Sequence, residues 1–184
     1  MSFTKLLVPT FTQMLNAMSG WISKAELQLN ESESKNLMSA RLASDMFPLS
    51  TQVRFACVQA YEAVSRLKKE EFTEVRNALL EEGRNAADQP GTISDAQVRI
   101  SQTITMLNAL SETELDTETQ SSLVHELPDG MTFDLTAEQY VRDWVIPQFY
   151  FHTMAAYAIL RHEKIEVGKA DYVAHMFQYV RPRT

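Results

Sequence analysis

Cysteine is almost absent from this 184-residue chain, which has one, at position 57. A single cysteine excludes an intrachain disulfide and suits a reducing compartment. No apolar run approaches the roughly 18 residues of a membrane-spanning helix. At the N-terminus only Lys5 precedes a short apolar stretch, which is too little for a signal peptide. The sequence therefore predicts a cytoplasmic protein without membrane contact.

Basic residues are also few, because 17 Lys and Arg stand against 24 Asp and Glu and leave a net charge of −7. Proteins that bind nucleic acids need clustered basic side chains to contact phosphates, so we expect no nucleic-acid partner. The chain also lacks a P-loop, a dinucleotide-binding glycine motif, a Gly-x-Ser-x-Gly elbow and a Cys-x-x-Cys pair. None of these absences defines a reaction.

Glycine is scarce, with five residues, and apolar residues recur at steps of three and four. This spacing predicts long amphipathic helices along residues 7–29, 49–67, 98–110 and 141–159, and a short one at 35–43. Pro9 is expected in the first turn of its helix or at a kink, and Pro147 is expected to kink the last helix. The charged stretch 68–82 either extends the second helix or forms an extra surface helix.

Two segments of alternating apolar residues flank Pro128-Asp129-Gly130 and predict a β-hairpin at about residues 122–135. Thr136 and Gln139 form a capping-box pattern that begins the last helix. The length suits a single domain over residues 1–184, with an extra tail at 173–184. The expected fold is all-α, a four-helix bundle with a small β-hairpin.

The stripe of the last helix that should face the core contains two polar residues, Gln148 and His152, which lie on one helix face. A buried polar group without a partner costs on the order of 1–3 kcal/mol. The pair therefore indicates a polar pocket or a metal site, or else a core histidine that bonds Gln148 or a facing helix. Gln52, beside the apolar stripe of the second helix, and Asp45 are the other candidate pocket residues.

Five segments of the chain resemble an uncharacterised bacterial family, a domain of unknown function that is similar to the DinB/YfiT-like superfamily of metalloenzymes. They are LVPTF at 7–11, ARLASDMFPL at 40–49, PQFYFH at 147–152, AYAILRH at 156–162 and GKADY at 168–172. The resemblance implies a four-helix bundle that is often dimeric. It also implies a three-histidine metal site and, in some members, thiol-dependent transferase or isomerase activity. Here the second helix has no histidine and the last-helix pair is reduced to His152, so the metal triad is incomplete.

Three functions remain open. The first is a degenerate pocket that binds a small molecule or performs thiol-related transferase chemistry, with Gln148 orienting His152 as an acid/base or hydrogen-bonding group. It needs no cofactor. The second is a metal-dependent hydrolase or transferase in which His152, with Asp45 or another histidine such as His125, holds Zn²⁺ or Ni²⁺. The third is a non-enzymatic homodimer that uses helix faces and the aromatic residues Tyr172, Phe177 and Tyr179.

Overall fold

The computed structural model describes residues 2–127 and 129–181, and most of them are helical. Pro128, at the turn of the predicted hairpin, and the last three residues of the predicted tail lie outside the described residues. The helices are α1 Phe3–Gln28, α2 Glu31–Leu37, α3 Leu49–Lys68, α4 Glu74–Arg84, α5 Ile93–Asn108, α6 Ala137–Gln139, α7 Ile146–His162 and α8 Lys169–Tyr172. A π-helical segment, Tyr140–Val145, joins α6 to α7, and a 3₁₀ segment, Ala174–Tyr179, follows α8.

Helix α3 is the centre of the fold and buries 17 of its 20 residues. It packs against α7, α4 and α5, while α1 packs against α5 and α7. The core is built from aliphatic and aromatic side chains such as Leu7, Phe11, Val53 and Phe149, all fully buried. Burying a side chain of this size contributes about 1.5–3 kcal/mol. The arrangement confirms the predicted helical bundle.

The first two helices differ from the prediction at their boundaries. Pro9 lies inside α1 rather than in its first turn, because α1 begins at Phe3, where the Ser2 side chain caps it. The predicted break at residues 30–34 is the start of α2, since Asn30 and Glu33 form a capping box there. The predicted short helix at 35–43 is therefore wrong, and α2 ends at Leu37.

The charged stretch after α3 forms the separate helix α4, which packs against α3. Lys69, in the left-handed conformation, ends α3. Two ion pairs tie the helices together, Arg76 with Glu62 and Arg54 with Glu82. The charges of this stretch therefore face α3 as well as solvent.

Strands β1 Ser122–Glu126 and β2 Thr132–Thr136 form an antiparallel pair in which His125 lies opposite Phe133. The predicted capping box between Thr136 and Gln139 is present and begins α6. The chain then makes the π-helical segment, where the Ile146 N–H donates to the Val141 carbonyl five residues back. Pro147 follows at the start of α7 rather than inside an unbroken helix. Such π segments are frequent at functional sites.

The residue that precedes the tail packs against the bundle, whereas aromatic residues of the tail are exposed. Tyr172 stacks on Trp21 with ring centroids 5.6 Å apart and also contacts Tyr157. Phe177 and Tyr179 are exposed. Among the described residues, no helix has the length and apolar character needed to span a membrane.

Gly83, on α4, leaves room for the ring of Phe55 on α3. A Cβ at position 83 would lie 2.4 Å from Phe55 Cε1. We expect Gly83→Ala to displace this ring and to lower the free energy of unfolding by about 1–3 kcal/mol in urea denaturation. Gly20→Ala is the matched control, because in the described part of the chain no neighbouring atom lies within 4 Å of its added Cβ. It should stabilise α1 by about 0.5–1 kcal/mol, and equal effects of the two substitutions would contradict the packing argument.

Candidate functional site

A cleft of about 860 Å³ opens between α3, α4, the hairpin and the beginning of the last helix. Its polar lining comes from all four elements and comprises Gln59, Glu62, Arg66, Arg76, Arg84, His125, Glu126, Gln148 and His152. Aromatic and aliphatic side chains fill the intervening positions. A volume of roughly 300–1,000 Å³ is typical of small-molecule sites.

His152 lies at one end of this cleft and is buried, with 8% of its surface exposed. Its Nδ1 is 2.9 Å from the Oε1 of Gln52, while the Gln52 Nε2 donates to the Phe47 carbonyl at 3.2 Å. Since the Gln52 amide already donates to Phe47, its oxygen accepts, and His152 carries its proton on Nδ1. The Nε2 atom of His152 is thereby left as an acceptor.

Burial lowers the pKa of His152 to about 4. The rings of Phe55 and Phe151 each meet the imidazole edge-on with centroids 5.3 Å apart, which fixes its orientation. At neutral pH the side chain is therefore an uncharged imidazole. It is a hydrogen-bonding group and a weak base.

The four residues predicted for the pocket are not all brought together. His152 and Gln148 line the cleft. Gln52, which is 2% exposed, accepts a hydrogen bond from His152. The orienting partner of His152 is therefore Gln52, not Gln148. Asp45 is exposed in the segment between α2 and α3 and does not line the cleft. It lies in an irregular segment, whose path helical periodicity does not predict.

His125 is the most unusual residue of the cleft. It is 3% exposed, and neither ring nitrogen has a hydrogen-bond partner among the described residues. Its ring packs 4.4 Å from that of Trp144 and stacks near Phe133. Burial, and then the positive charges of Arg66 and Arg76, lower the pKa of His125 to about 4. The sequence placed His125 on the hairpin but did not select it for the pocket. The alternation of Leu123, His125 and Leu127 is the signal that could have identified its inward side chain.

Further polar atoms of the cleft are, like the ring nitrogens of His125, buried without a hydrogen-bond partner. Gln59 Oε1, Arg66 Nε and Trp144 Nε1 are buried and have no hydrogen-bond partner within residues 2–127 and 129–181. More than nine in ten buried polar groups of native proteins are paired. Several unpaired groups on one cleft are the pattern expected where a ligand supplies the partners.

A buried ion pair forms the wall opposite His125. Glu62 of α3 accepts a hydrogen bond from the Arg76 Nε at 2.9 Å, and both side chains are largely buried. The Arg76 guanidinium also lies over the ring of Phe72, 4.0 Å from its centroid. This contact attaches α4 and the segment before it to the cleft.

The site does not fit a resident metal ion of the three-histidine type. In the described ranges no three His, Cys, Asp or Glu side chains are grouped to hold a metal. Where a ligand from the second long helix would be needed, the side chain that meets His152 is the amide of Gln52. Because the Gln52 oxygen accepts the proton on Nδ1, Nε2 is the nitrogen of His152 that could bind a metal.

The fold is that of a DinB-like helical protein. The chain resembles a crystal structure of a DinB family member protein from Shewanella denitrificans, with a TM-score of 0.72 and 30% sequence identity over 98% of this chain and 94% of that one. A search of curated proteins finds no match.

The model of a domain of unknown function, DUF1993, matches residues 3–173, and the chain belongs to this family. The match stops at the beginning of the predicted tail. The resemblance to an uncharacterised DinB-like family is thus confirmed. Membership of this family does not identify an activity.

Proposed function

We propose that this protein binds a small organic molecule in the cleft between α3, α4 and the hairpin. The observation that carries the proposal is His125, a buried histidine on the cleft whose two ring nitrogens lack partners in the described part of the chain. An unpaired buried polar group costs about 1–3 kcal/mol. A ligand that accepts from one nitrogen and donates to the other would recover that free energy.

His152, together with Gln148, would provide the second contact with the ligand. Gln52 fixes the tautomer of His152, so its Nε2 would accept a hydrogen bond from the ligand. Gln148 lies one turn earlier on the same face and adds an amide that both donates and accepts. The cleft therefore offers recognition groups on two elements, His125 on the hairpin and His152 on α7.

Binding is favoured over acid/base catalysis by the proton affinity of these histidines. An efficient general base has a pKa near the working pH, whereas burial lowers the pKa of His152 to about 4. Such an imidazole removes a proton poorly from a thiol, whose pKa is about 8.5. Thiol-related transferase chemistry and a metal-dependent reaction therefore remain predictions that no contact in the cleft favours.

A homodimer in the cytoplasm also remains a prediction. The exposed side chains of Met176, Phe177, Tyr179 and Val180 would provide an apolar surface for it.

A fragment screen by NMR that observes the histidine ring signals of the protein tests the binding proposal. We expect fragments that bind the wild type to shift the ring signals of His125 and His152, and to lose at least tenfold in affinity in His125→Leu. His162→Leu, an exposed histidine at the end of α7, is the matched control and should keep the same hits. Hits that leave both ring signals unchanged, or a screen without hits, would overturn the proposal.

A further inference from the structure

The cleft is positively charged in a protein that is negative as a whole. Three arginines, Arg66, Arg76 and Arg84, line it against two glutamates, Glu62 and Glu126, whereas the chain has a net charge of −7. Glu62 is already paired with Arg76. Arg84 lies 3.4 Å from Glu81 on its own helix.

Arg66 is the arginine of the cleft without an acidic partner. Among residues 2–127 and 129–181, no carboxylate lies within 4.0 Å of its guanidinium. Its Nη1 donates to the Val124 carbonyl at 3.0 Å, and its Nε is buried without a partner. The contact with Val124 places the guanidinium beside the strand that bears His125.

A guanidinium presents its donors in a planar fork that matches a carboxylate or a phosphate. Arg66 uses one donor on Val124 and keeps the buried Nε–H for another group. His125, which follows Val124 on the same strand and is buried on the cleft, adds a neutral ring N–H. Together these groups form a site for an anionic oxygen.

The remaining surface of the cleft suits a flat apolar group. Phe55, Phe72 and Trp144 line it, and Phe72 lies beneath the guanidinium of Arg66, 4.9 Å from ring centroid to Cζ. Aromatic side chains favour stacked or edge-to-face contact with other rings, worth about 0.5–1.5 kcal/mol beyond area burial.

We infer that the ligand of this cleft is an aromatic organic anion whose carboxylate or phosphate is bound by Arg66 and His125. The inference rests on the proposed binding function and names the chemical class of its ligand. It follows from an arginine without a carboxylate partner, a buried histidine without a partner and aromatic side chains, all of which line one cleft.

The experiment compares probes of one shape and different charge. 1-Naphthylacetate, 1-naphthyl phosphate and the neutral 1-naphthylacetamide are titrated into the wild type by calorimetry, while NMR follows the ring signals of His125. We expect at least one anion to bind about tenfold or more tightly than the amide, since hydrogen bonds to charged groups are stronger. Which anion binds more tightly distinguishes a carboxylate ligand from a phosphate ligand.

Arg66→Met keeps the apolar stem of the side chain and removes the charge. It should reduce the affinity for the anion to that for the amide and leave the amide within about twofold of the wild type. Arg142→Gln, a surface arginine paired with Asp143, is the matched control and should keep the preference for the anion.

The two proposals fail in different ways. If amide and anions bind equally and shift the His125 signals, the binding function stands and the anionic ligand is wrong. An anion preference that persists in Arg66→Met also overturns the role of Arg66. If none of the probes shifts the His125 signals, the cleft is not the binding site and both proposals fall.

Discussion

Arg76→Met is expected to lower the free energy of unfolding by about 3–5 kcal/mol, the range found when one partner of a buried ion pair is removed. Glu62, 6% exposed, would keep its charge without a cation to compensate it. The substitution also removes the contact of the guanidinium with Phe72. Urea denaturation at neutral pH measures the loss.

Two variants separate the ion pair from the packing. The double variant Glu62→Gln with Arg76→Met removes both charges and should recover a large part of the loss, because no buried charge remains. Arg142→Met removes a pair whose side chains are more than half exposed, so its effect should stay within about 1 kcal/mol. A double variant as unstable as Arg76→Met would contradict the electrostatic explanation.

The same substitution at two buried histidines of the cleft should have effects of opposite sign. His152→Leu is expected to lower the free energy of unfolding by about 1–3 kcal/mol, because the Gln52 oxygen loses its donor and stays buried. His125→Leu is expected to raise it by about 1–2 kcal/mol, because it replaces two unpaired ring nitrogens with an apolar side chain. Residues that serve binding often reduce stability in this way. Thermal and urea unfolding of both variants beside the wild type measure the difference.

The pH dependence of the free energy of unfolding provides a second test of the effect of His125→Leu. Burial lowers the pKa of both histidines from 6.5 to about 4. The unfolded chain therefore takes up protons at these positions below about pH 6.5, whereas the folded chain does so only near pH 4. Proton uptake by the unfolded chain therefore lowers the free energy of unfolding as the pH falls from about 6.5 toward 4, whereas above about pH 6.5 this loss is absent. The advantage of His125→Leu over the wild type should accordingly grow between pH 7 and pH 5, and a constant difference would contradict the shifted pKa of His125.

Much of the fold was predictable because it depends on local patterns. Apolar residues at helical spacing predict α1, α3, α5 and α7, and alternation around residues 128–130 predicts the hairpin that carries His125. The capping box at Thr136 and Gln139 likewise appears where the sequence indicated it. The error at α2 came from interpreting Asn30 and Glu33 as a break, although the same two residues form a capping box.

The candidate site was predictable only in part. The face shared by Gln148 and His152 follows from helical periodicity, and both residues line the cleft. Periodicity carries no information on which residue of another helix faces a given position. Gln52 was one candidate among several, and it is the partner that sets the tautomer of His152. Asp45 was another candidate, and it is exposed and lies outside the cleft.

Residue type and short spacing were enough to predict the helical class of the protein, the core-facing stripe that contains Gln148 and His152, and an incomplete three-histidine motif. Three features appear only in the tertiary structure. Charged residues of α4 form ion pairs with α3, and Arg66 has no carboxylate beside it among the described residues. The hairpin and the last helix also line one cleft. These facts depend on contacts between residues far apart in the chain, such as Arg66 with Val124 and Gln52 with His152. Long-range contacts arise from the packing of whole elements, which no local pattern encodes.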